Sequence, residues 1–290
     1  MESAQFGSLV FFLTCLFSIS ACTVVADVGT VNPIPVAATK VSTSEPATAN
    51  HYRPPVAVNW QLQLQGVANT AHDADLYVVD LFDTPVSTIS GLQKRGVAVI
   101  CYFSAGTHEK WRSDANEFSA SDLGDPLEDW PGERWLDVRS RNVRRIMATR
   151  LDMALAKGCD GVDPDNVDGY SNQTGIELMR NDQLSYNRYL AGQAHARGLA
   201  IGLKNSVGLA GQLIDDYDFT VNESCDRHDE CDELDIFIRQ GKPVLHVEYR
   251  PEFRLRPKVF TKFCRHFQDK RFSTLVLPRD LDDDYRLSCQ

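Results

Sequence analysis

The sequence is short of positive charge and lacks the short motifs that mark nucleotide or structural metal binding. It has 30 Lys and Arg against 40 Asp and Glu, a formal net charge of −10. This balance argues against nucleic acid or an anionic membrane as the main partner and would suit a cationic ligand. The sequence has no G-x-G-x-x-G or Walker pattern and no C-x-x-C or H-E-x-x-H spacing.

No apolar stretch is long enough for a comfortable transmembrane helix, so no transmembrane segment is expected. The stretch over residues 8–20 (SLVFFLTCLFSIS) instead has the length of the apolar part of a signal peptide, and Val24-Val25-Ala26 offers a cleavage point. We therefore interpret residues 1–26 as an export signal, although the first seven residues contain no Lys or Arg. Residues 19–22 (ISAC) also resemble a lipoprotein box, in which Cys22 would carry a lipid anchor. A freely secreted and a cell-surface protein both remain open.

The domain boundaries follow from composition. Residues 27–55 contain Pro33, Pro35, Pro46, Pro54 and Pro55 without periodic apolar spacing, which predicts a flexible tether. A single folded domain is predicted over residues 56–290. Removal of residues 1–26 takes away one acidic residue, Glu2, and no basic one, which leaves a net charge of −9.

The cysteines outside the signal indicate disulfides. They are Cys101, Cys159, Cys225, Cys231, Cys264 and Cys289. An even number in an exported chain favours disulfides over a metal site, although six cysteines allow fifteen pairings. The short loop between Cys225 and Cys231 makes them the best candidate pair.

Strand-length apolar runs alternate with amphipathic helical stretches along the domain. The eight predicted strands cover residues 60–64, 76–81, 97–103, 159–163, 200–204, 218–222, 243–247 and 274–277. Four helices end in KRG, AKG, ARG or RQG just before a strand, where glycine suits the left-handed position beyond a helix. Eight such units predict an α/β fold, a (β/α)₈ TIM barrel, with a doubly wound open sheet as the alternative.

Polar and aromatic residues collect where the predicted strands run into the following helices, which is where barrel enzymes carry their active sites. They are Trp60, Gln61, Asp80, Asp83, Tyr102, Ser104, Asp163, Asp165, Asn166, Lys204, Asn205, Asn222, Glu223, His246, Glu248, Tyr249 and Arg279. Asp163 is equally well explained as a structural acid, and Glu248 as a support of the site. Lys204 can neutralise the surrounding acids. The tryptophans of the long loop after the third strand, Trp111, Trp130 and Trp135, either stack on sugar rings or form a local core.

The strand-end motifs resemble those of the endo-α-1,4-polygalactosaminidases, glycoside hydrolase family 114. They are WQLQLQG (60–66), YVVDLFDT (77–84), VICYFSAGTHEKWR (99–112), WLDVRS (135–140), GCDGVDPDNVDGY (158–170), IGLKN (201–205), VNESC (221–225) and HVEY (246–249). The resemblance spans about Trp60 to Arg279, with motifs at seven of the eight strand ends. It implies a secreted barrel enzyme that cleaves internal α-1,4 bonds in galactosamine-rich polysaccharide.

The resemblance also implies site residues. Asp165 would be the nucleophile and Glu223 the general acid/base of a retaining mechanism, with Asp163 an alternative nucleophile two residues away. Substrate contacts are expected from Trp60, Asp80, Asp83, Tyr102, Asp163, Asn166, Lys204, Asn205, Glu248 and Tyr249. A monomer without metal or organic cofactor is expected, acting on a cationic or partly deacetylated polymer. The alternatives are a glycan-binding barrel without activity and a hydrolase of another polysaccharide.

Overall fold

The computed structural model describes residues 51–290, so the predicted signal segment and the predicted tether up to residue 50 lie outside the described residues. Its helices are α1 (Val86–Gln93), α2 (Arg141–Lys157), α3 (Arg180–His195), α4 (Ala210–Leu213), α5 (Cys225–His228), α6 (Asp235–Arg239) and α7 (Pro257–Asp269). Its strands are β1 (Trp60–Gln63), β2 (Leu76–Asp80), β3 (Ala98–Ser104), β4 (Thr107–Glu109), β5 (Leu123–Pro126), β6 (Glu133–Leu136), β7 (Gly161–Asp165), β8 (Ala200–Lys204), β9 (Phe219–Glu223), β10 (Val244–Glu248), β11 (Ser273–Val276) and β12 (Leu287–Ser288). Short 3₁₀ turns cover Ala115–Glu117, Ala120–Asp122, Gly169–Ser171, Val207–Leu209, Cys231–Leu234 and Pro251–Leu255.

Eight parallel strands form the central sheet in the order β1-β2-β3-β7-β8-β9-β10-β11, and β12 pairs with β11 in the antiparallel direction. Each of the eight predicted strands is present. The order follows the chain without the reversal that a doubly wound sheet requires, so that alternative is wrong.

The two ends of the curled sheet approach each other through the C-terminal segment. The backbone N–H groups of Leu64 and Gln65 donate to the carbonyl of Leu281 at 3.0 and 3.1 Å. The indole of Trp60 donates to the carbonyl of Ser273 at 2.9 Å, and Arg286 donates to the carbonyl of Trp60 at 2.8 Å. The fold is therefore an α/β fold with a curled sheet, compatible with a TIM-like barrel.

Alternation along the strands separates two apolar layers, because successive side chains of a strand point to opposite faces. On the inner face lie Trp60, Leu62, Leu76, Val78, Ile100, Ala200, Phe219, Val221, Leu245, Val247 and Leu275. The other face packs against the helices through a larger cluster that includes Val79, Val99, Cys101, Val162, Ile201 and Leu203. Gly202 lies on the inner face of β8, where a Cβ would come within 2.4 Å of the Phe219 ring. The absence of a side chain there leaves room for that ring.

The strand that carries the acidic motif begins two residues later than expected. Residues 159–163 were predicted, whereas β7 covers Gly161–Asp165. Cys159 and Asp160 instead complete the turn after α2, and the Asp160 carboxylate accepts from the Val99 N–H at 2.8 Å. Asp163 therefore lies within the strand, and Asp165 lies at its end.

The long loop after β3 contains a small antiparallel sheet in the order β4-β6-β5, which was not predicted. Arg150 of α2 is fully buried and attaches this insertion to the central sheet. It donates to Asp114 at 2.8 and 2.9 Å and to the carbonyl of Ser104 at 2.6 Å. The insertion is thereby held over the end of β3.

Three disulfides connect the six cysteines: Cys101–Cys159, Cys225–Cys231 and Cys264–Cys289. The predicted Cys225–Cys231 pair is confirmed. The four glycines predicted to follow helices, Gly96, Gly158, Gly198 and Gly241, have φ between 71° and 83°, which also confirms that prediction.

Candidate active site

The same alternation that builds the inner apolar layer brings four ionisable side chains together. The inward row of β7 reads Gly161, Asp163, Asp165, and the rows of β8 and β9 end in Lys204 and Glu223. Because β7, β8 and β9 are neighbours and parallel, their carboxyl ends meet at one edge. These ionisable groups thus lie directly above the inner apolar layer of the curled sheet.

The Lys204 ammonium lies at the centre of this group. Its Nζ is 3.5 Å from Asp165 Oδ2, 3.4 Å from Glu223 Oε2 and 3.7 Å from Asp163 Oδ2, and the side chain is 1% exposed. Burial opposes the charged form of the lysine, but the three carboxylates outweigh it and raise the pKa of Lys204 above its ordinary value. Lys204 therefore supplies the counter-charge that the sequence predicted.

Asp165 is held by two short hydrogen bonds. The Tyr102 hydroxyl donates to Oδ2 at 2.8 Å, and the Asn166 N–H donates to Oδ1 at 2.7 Å. Asn166 adopts a left-handed conformation with φ of 59°, and its carbonyl lies where a Cβ on Gly106 would be, at 1.7 Å. Only glycine at position 106 permits this close crossing of the two chains, which fixes the backbone beside Asp165.

Glu223 has its own set of donors. The Tyr249 hydroxyl donates to Oε1, and Asn205 Nδ2 donates to Oε2 at 3.4 Å. The Asn205 side-chain oxygen also accepts from the backbone N–H of Glu223 at 2.9 Å. Burial and then the neighbouring Glu223 raise the pKa of Tyr249 well above its ordinary value, so its hydroxyl keeps its proton and remains a donor.

Asp163 lies below this pair and is fully buried. Neither carboxylate oxygen has a hydrogen-bond partner among residues 51–290. Burial raises the pKa of Asp163 to about 7, with Lys204 acting in the opposite direction and Asp165 and Glu223 adding to the rise. Burial likewise raises the pKa of Asp168, on the loop after β7, to about 6, with a further contribution from Asp165. Both carboxyl groups hold protons more tightly than an exposed aspartate does.

An open cleft runs over Asp165, Lys204 and Glu223. One part is lined by Leu64, Tyr102, Leu127, Trp130, Glu133, Asp165, Asn166, Lys204, Asn205, Glu223, Ser224, Arg227, His228, Tyr249, Arg279 and Leu281. An adjoining part shares several of these residues and adds Asp125, Pro126, Glu128, Asp129, Trp135, Asp168, Asn172 and Gln173. A groove that continues on both sides of the carboxylates can accommodate an extended chain.

The loop tryptophans have different environments. Trp130 is 44% exposed and lines both parts of the cleft, whereas Trp135 is 6% exposed and borders only the adjoining part. Trp111 is 51% exposed and is not among the residues that line the cleft. Of the two roles left open by the sequence, the sugar-facing position suits Trp130, and the core position suits Trp135.

Besides the buried Asp163, four residues with expected substrate contacts do not line the cleft. Trp60 is fully buried in the inner core, and Asp80 is bound by Arg112 at 2.6 Å. Glu248 is 1% exposed, where His246 contacts it at 3.1 Å and the Asp226 N–H donates to it at 2.9 Å. Asp83 is exposed but pairs with Arg112 at 3.1 Å. Their placement fits support of the surrounding structure rather than direct contact with a sugar.

Several residues that line the cleft were not predicted as site residues from the sequence. Glu133 accepts from the Thr107 hydroxyl at 2.6 Å, and burial raises its pKa. Arg227 and His228 enter the cleft from α5, immediately after the Glu223 strand, and Leu127 comes from the turn between β5 and β6. A tryptophan in an inserted loop was the only available indication that the insertion reaches the site.

The described residues offer two groups with ligand atoms close enough for a metal ion. In the first, Cys225 and Cys231 are joined in a disulfide beside His246, so their sulfurs are not free to bind a metal. The second comprises His51, His195 and Asp218. Asp218 precedes the start of β9, whereas Glu223 ends it, so this group lies at the opposite end of the strands from the cleft.

Two carboxylates lie at one end of a barrel-like sheet, in a cleft that can hold a polymer. Glycoside hydrolases use such a pair of carboxylates for catalysis. The sequence profile of glycoside-hydrolase family GH114 matches residues 41–290 of this chain. The chain therefore belongs to that family. It is therefore a glycosidase.

Known proteins resemble this chain to different degrees. The crystal structure of Aspergillus fumigatus Ega3 in complex with galactosamine shares 43% identity and a TM-score of 0.77, covering 82% of this chain and 97% of that chain. The glycoside hydrolase domain of PelA from Pseudomonas aeruginosa is 16% identical with a TM-score of 0.64, covering 79% of this chain and 97% of that chain, a likeness of fold alone. An uncharacterised protein of Deinococcus radiodurans is 28% identical over 155 residues, which cover 48% of this chain. The match spans about half of that curated relative, 49% of its length.

Proposed function

We propose that the chain is an endo-acting hydrolase of α-1,4 bonds in galactosamine-rich polysaccharide, with Asp165 as nucleophile and Glu223 as general acid/base on a (β/α)₈ barrel. The observation that carries the proposal is the arrangement of these two carboxylates around Lys204. Asp165 Oδ2 lies 3.5 Å and Glu223 Oε2 3.4 Å from Nζ, so the two oxygens are at most 6.9 Å apart, the sum of the two distances. One glycosidic bond fits between groups this close.

The separation favours a retaining mechanism. If the carboxylates face different N–H bonds of the ammonium, which diverge by roughly 110°, their oxygens are about 5.6 Å apart. Retaining enzymes hold their carboxyl groups about 5–5.5 Å apart, and inverting enzymes about 6.5–9.5 Å. The upper bound of 6.9 Å barely reaches the inverting range.

The roles follow from how each carboxylate is held. Asp165 has a short side chain that the Tyr102 hydroxyl and the Asn166 N–H hold in one orientation, as a nucleophile requires. It attacks the anomeric carbon while the Glu223 carboxyl gives its proton to the leaving oxygen, and the glycosidic bond breaks. Glu223 then takes a proton from water, whose oxygen attacks the same carbon and releases Asp165. The same two groups thus serve both steps.

The acidic lining supports a cationic polymer as substrate. Deacetylated galactosamine carries an ammonium group, and Asp125, Glu128 and Asp168 line the cleft beside the carboxylate pair, whereas Asp129 is paired with Arg279 at 2.8 Å. The complex of Ega3 with galactosamine points to the same sugar. Lys204 already pairs with three carboxylates. Its positive charge therefore does not offset the attraction between the acidic cleft residues and a cationic polymer.

Export and quaternary structure complete the proposal. Among residues 51–290, no helix is both long and apolar enough to span a bilayer. The apolar stretch over residues 8–20 and the three disulfides favour an enzyme outside the cytoplasm, either free or anchored through Cys22. We expect it to be a monomer.

The test uses partly deacetylated α-1,4-polygalactosamine and follows the release of short oligomers. Asp165→Asn and Glu223→Gln should each abolish release while the protein still binds the polymer and keeps its melting temperature. Asp152→Asn is the matched control, because Asp152 is an exposed carboxylate of α2 paired with Arg197. Full activity of either site variant would remove that residue from the mechanism. Polymer binding by the wild type without any release would favour a glycan-binding barrel, and release only from another polysaccharide would change the substrate.

A further inference from the structure

Two histidines and an aspartate meet at the end of the barrel opposite the cleft. His51 Nε2 lies 2.7 Å from Asp218 Oδ1, and His195 Nε2 lies 2.9 Å from Asp218 Oδ2. The two imidazole rings are 4.5 Å apart between centroids with an interplanar angle of 15°. One carboxylate thus faces the edges of two adjacent rings.

Three different parts of the chain supply these residues. His195 is the last residue of α3, and Asp218 lies just before β9. His51 belongs to the stretch that the sequence assigned to the tether, so the tether's last residues contact the barrel. The side chains of His51 and Asp218 are 8% and 9% exposed, and that of His195 is 31% exposed. The cluster is partly covered but reachable from solvent.

The carboxylate is held in place. Asp218 Oδ2 also accepts from the Ile201 N–H at 3.0 Å, which fixes its orientation independently of the histidines. The site therefore places a fixed carboxylate beside two imidazoles.

The donor set suits a borderline divalent cation. Imidazole nitrogen and carboxylate oxygen are the common ligands of Zn²⁺, at about 2.0–2.2 Å. Tetrahedral ligand atoms at that distance lie roughly 3.3 Å from one another. The three ligand atoms here all lie within 4.8 Å of one another, so shifts of about an ångström or less would let all three reach one ion.

Two cationic side chains border the same cavity, those of Arg53 and Lys242. The Lys242 ammonium donates to the carbonyls of Ile214 and Tyr217, so it has partners of its own. The cavity also provides solvent access for a fourth ligand, which a three-residue zinc site takes from water.

We propose that His51, His195 and Asp218 form a site for one Zn²⁺ ion that fixes residue 51 to the base of the barrel. Ca²⁺ and Mg²⁺ do not suit it, because these ions prefer all-oxygen ligand sets. The site is independent of the sugar chemistry, since it lies at the other end of the strands.

The test is calorimetric titration of the metal-stripped full chain with ZnCl₂ at pH 7.5. One ion per chain is expected, and His51→Ala and His195→Ala should each weaken binding by more than about tenfold. His72→Ala is the matched control, because His72 contacts Asp283 at 2.8 Å in a histidine–aspartate pair that has one imidazole only. Equal affinity in the wild type and both site variants would overturn the proposal, as would the absence of binding.

Two further measurements separate a metal site from a purely hydrogen-bonded cluster. Zn²⁺ should raise the melting temperature of the wild type and of His72→Ala but not of His195→Ala, while CaCl₂ should change none of them. Co²⁺ bound in place of Zn²⁺ should give the intense visible absorption of a four-coordinate ion. A melting temperature indifferent to Zn²⁺ would show that the three side chains only bond to one another.

Discussion

Lys204 Nζ lies 3.5 Å from Asp165 Oδ2 and 3.4 Å from Glu223 Oε2, so a single buried ammonium connects the two carboxylates of the cleft. Two carboxylates at this distance repel each other, and burial strengthens the repulsion. The lysine offsets it and fixes their spacing at the same time. Its position therefore affects both stability and chemistry.

Replacement of Lys204 by methionine should reduce kcat/KM by at least about a hundredfold, because the two carboxylates lose the group that sets their charge and geometry. The melting temperature should also fall, since buried carboxylates lose their partner. Oligomer release and thermal unfolding measure the two effects. Lys94→Met is the control, an exposed lysine beyond the end of α1. Near-normal turnover in Lys204→Met would mean that the ammonium does not organise the pair.

The separate roles of Asp165 and Glu223 can be tested with a galactosamine oligomer that carries fluoride at the anomeric carbon. Fluoride leaves without protonation, so Glu223→Ala should still release a burst of fluoride equal to the enzyme present, followed by slow turnover. Asp165→Ala should give no burst, because no covalent intermediate forms. Burst fluorimetry or a fluoride electrode measures the release.

The stereochemistry gives a second check on the same assignment. Proton NMR of fresh products should show the α-anomer first, as retention requires. A burst from Asp165→Ala but not from Glu223→Ala would exchange the two roles. A first product with the β-anomeric configuration would exclude the covalent step.

Strands such as β2, β8 and β9 were predictable because their inner rows carry no polar side chain before the last position. The rows of β8 and β9, for example, run through Ala200 and Gly202 to Lys204 and through Phe219 and Val221 to Glu223. Such runs are recognisable in a sequence without any knowledge of their neighbours. The same pattern explains why Lys204 and Glu223 were found in the sequence. Each occupies the first inward position beyond the apolar part of its strand.

Burial at the rim was not predictable, because it depends on segments distant in the chain. Asp80 is covered by Arg112, which is 32 positions away on the insertion, and Glu248 is covered by the start of α5 at Asp226. The strands of the insertion are three or four residues long and contain many polar residues, so they carry little periodic signal. The cleft walls therefore had to come from the structure.

Trp130 should contribute to polymer binding through the exposed part of its indole. Trp130→Ala should raise KM for the polymer about tenfold with a smaller change in kcat, because stacking on a sugar ring buries apolar surface worth about 1.5 kcal/mol. Initial rates over a range of polymer concentrations measure the two constants. Trp111→Ala is the matched control, since Trp111 is similarly exposed but does not line the cleft. Equal KM values for the two variants would place sugar binding elsewhere.

Asp163 should make the stability of the protein depend on pH in a direction opposite to that of most carboxylates. Burial, partly opposed by Lys204, raises its pKa from 3.8 to about 7, so between these values the folded protein keeps a proton that the unfolded chain has lost. Stability therefore falls as pH rises through this window, and the loss is complete above about pH 7. At roughly 1.4 kcal/mol for each pKa unit, the effect is at most about 4.5 kcal/mol. Asp163→Asn removes this ionisation, so its melting temperature relative to the wild type should increase from pH 4 to pH 7 and then level off.

Scanning calorimetry across this range measures the difference, and Asp152→Asn, which alters an exposed carboxylate, should show no such trend. Parallel curves for Asp163→Asn and the wild type would mean that Asp163 is ionised in the folded protein throughout the range, with Lys204 as its effective partner.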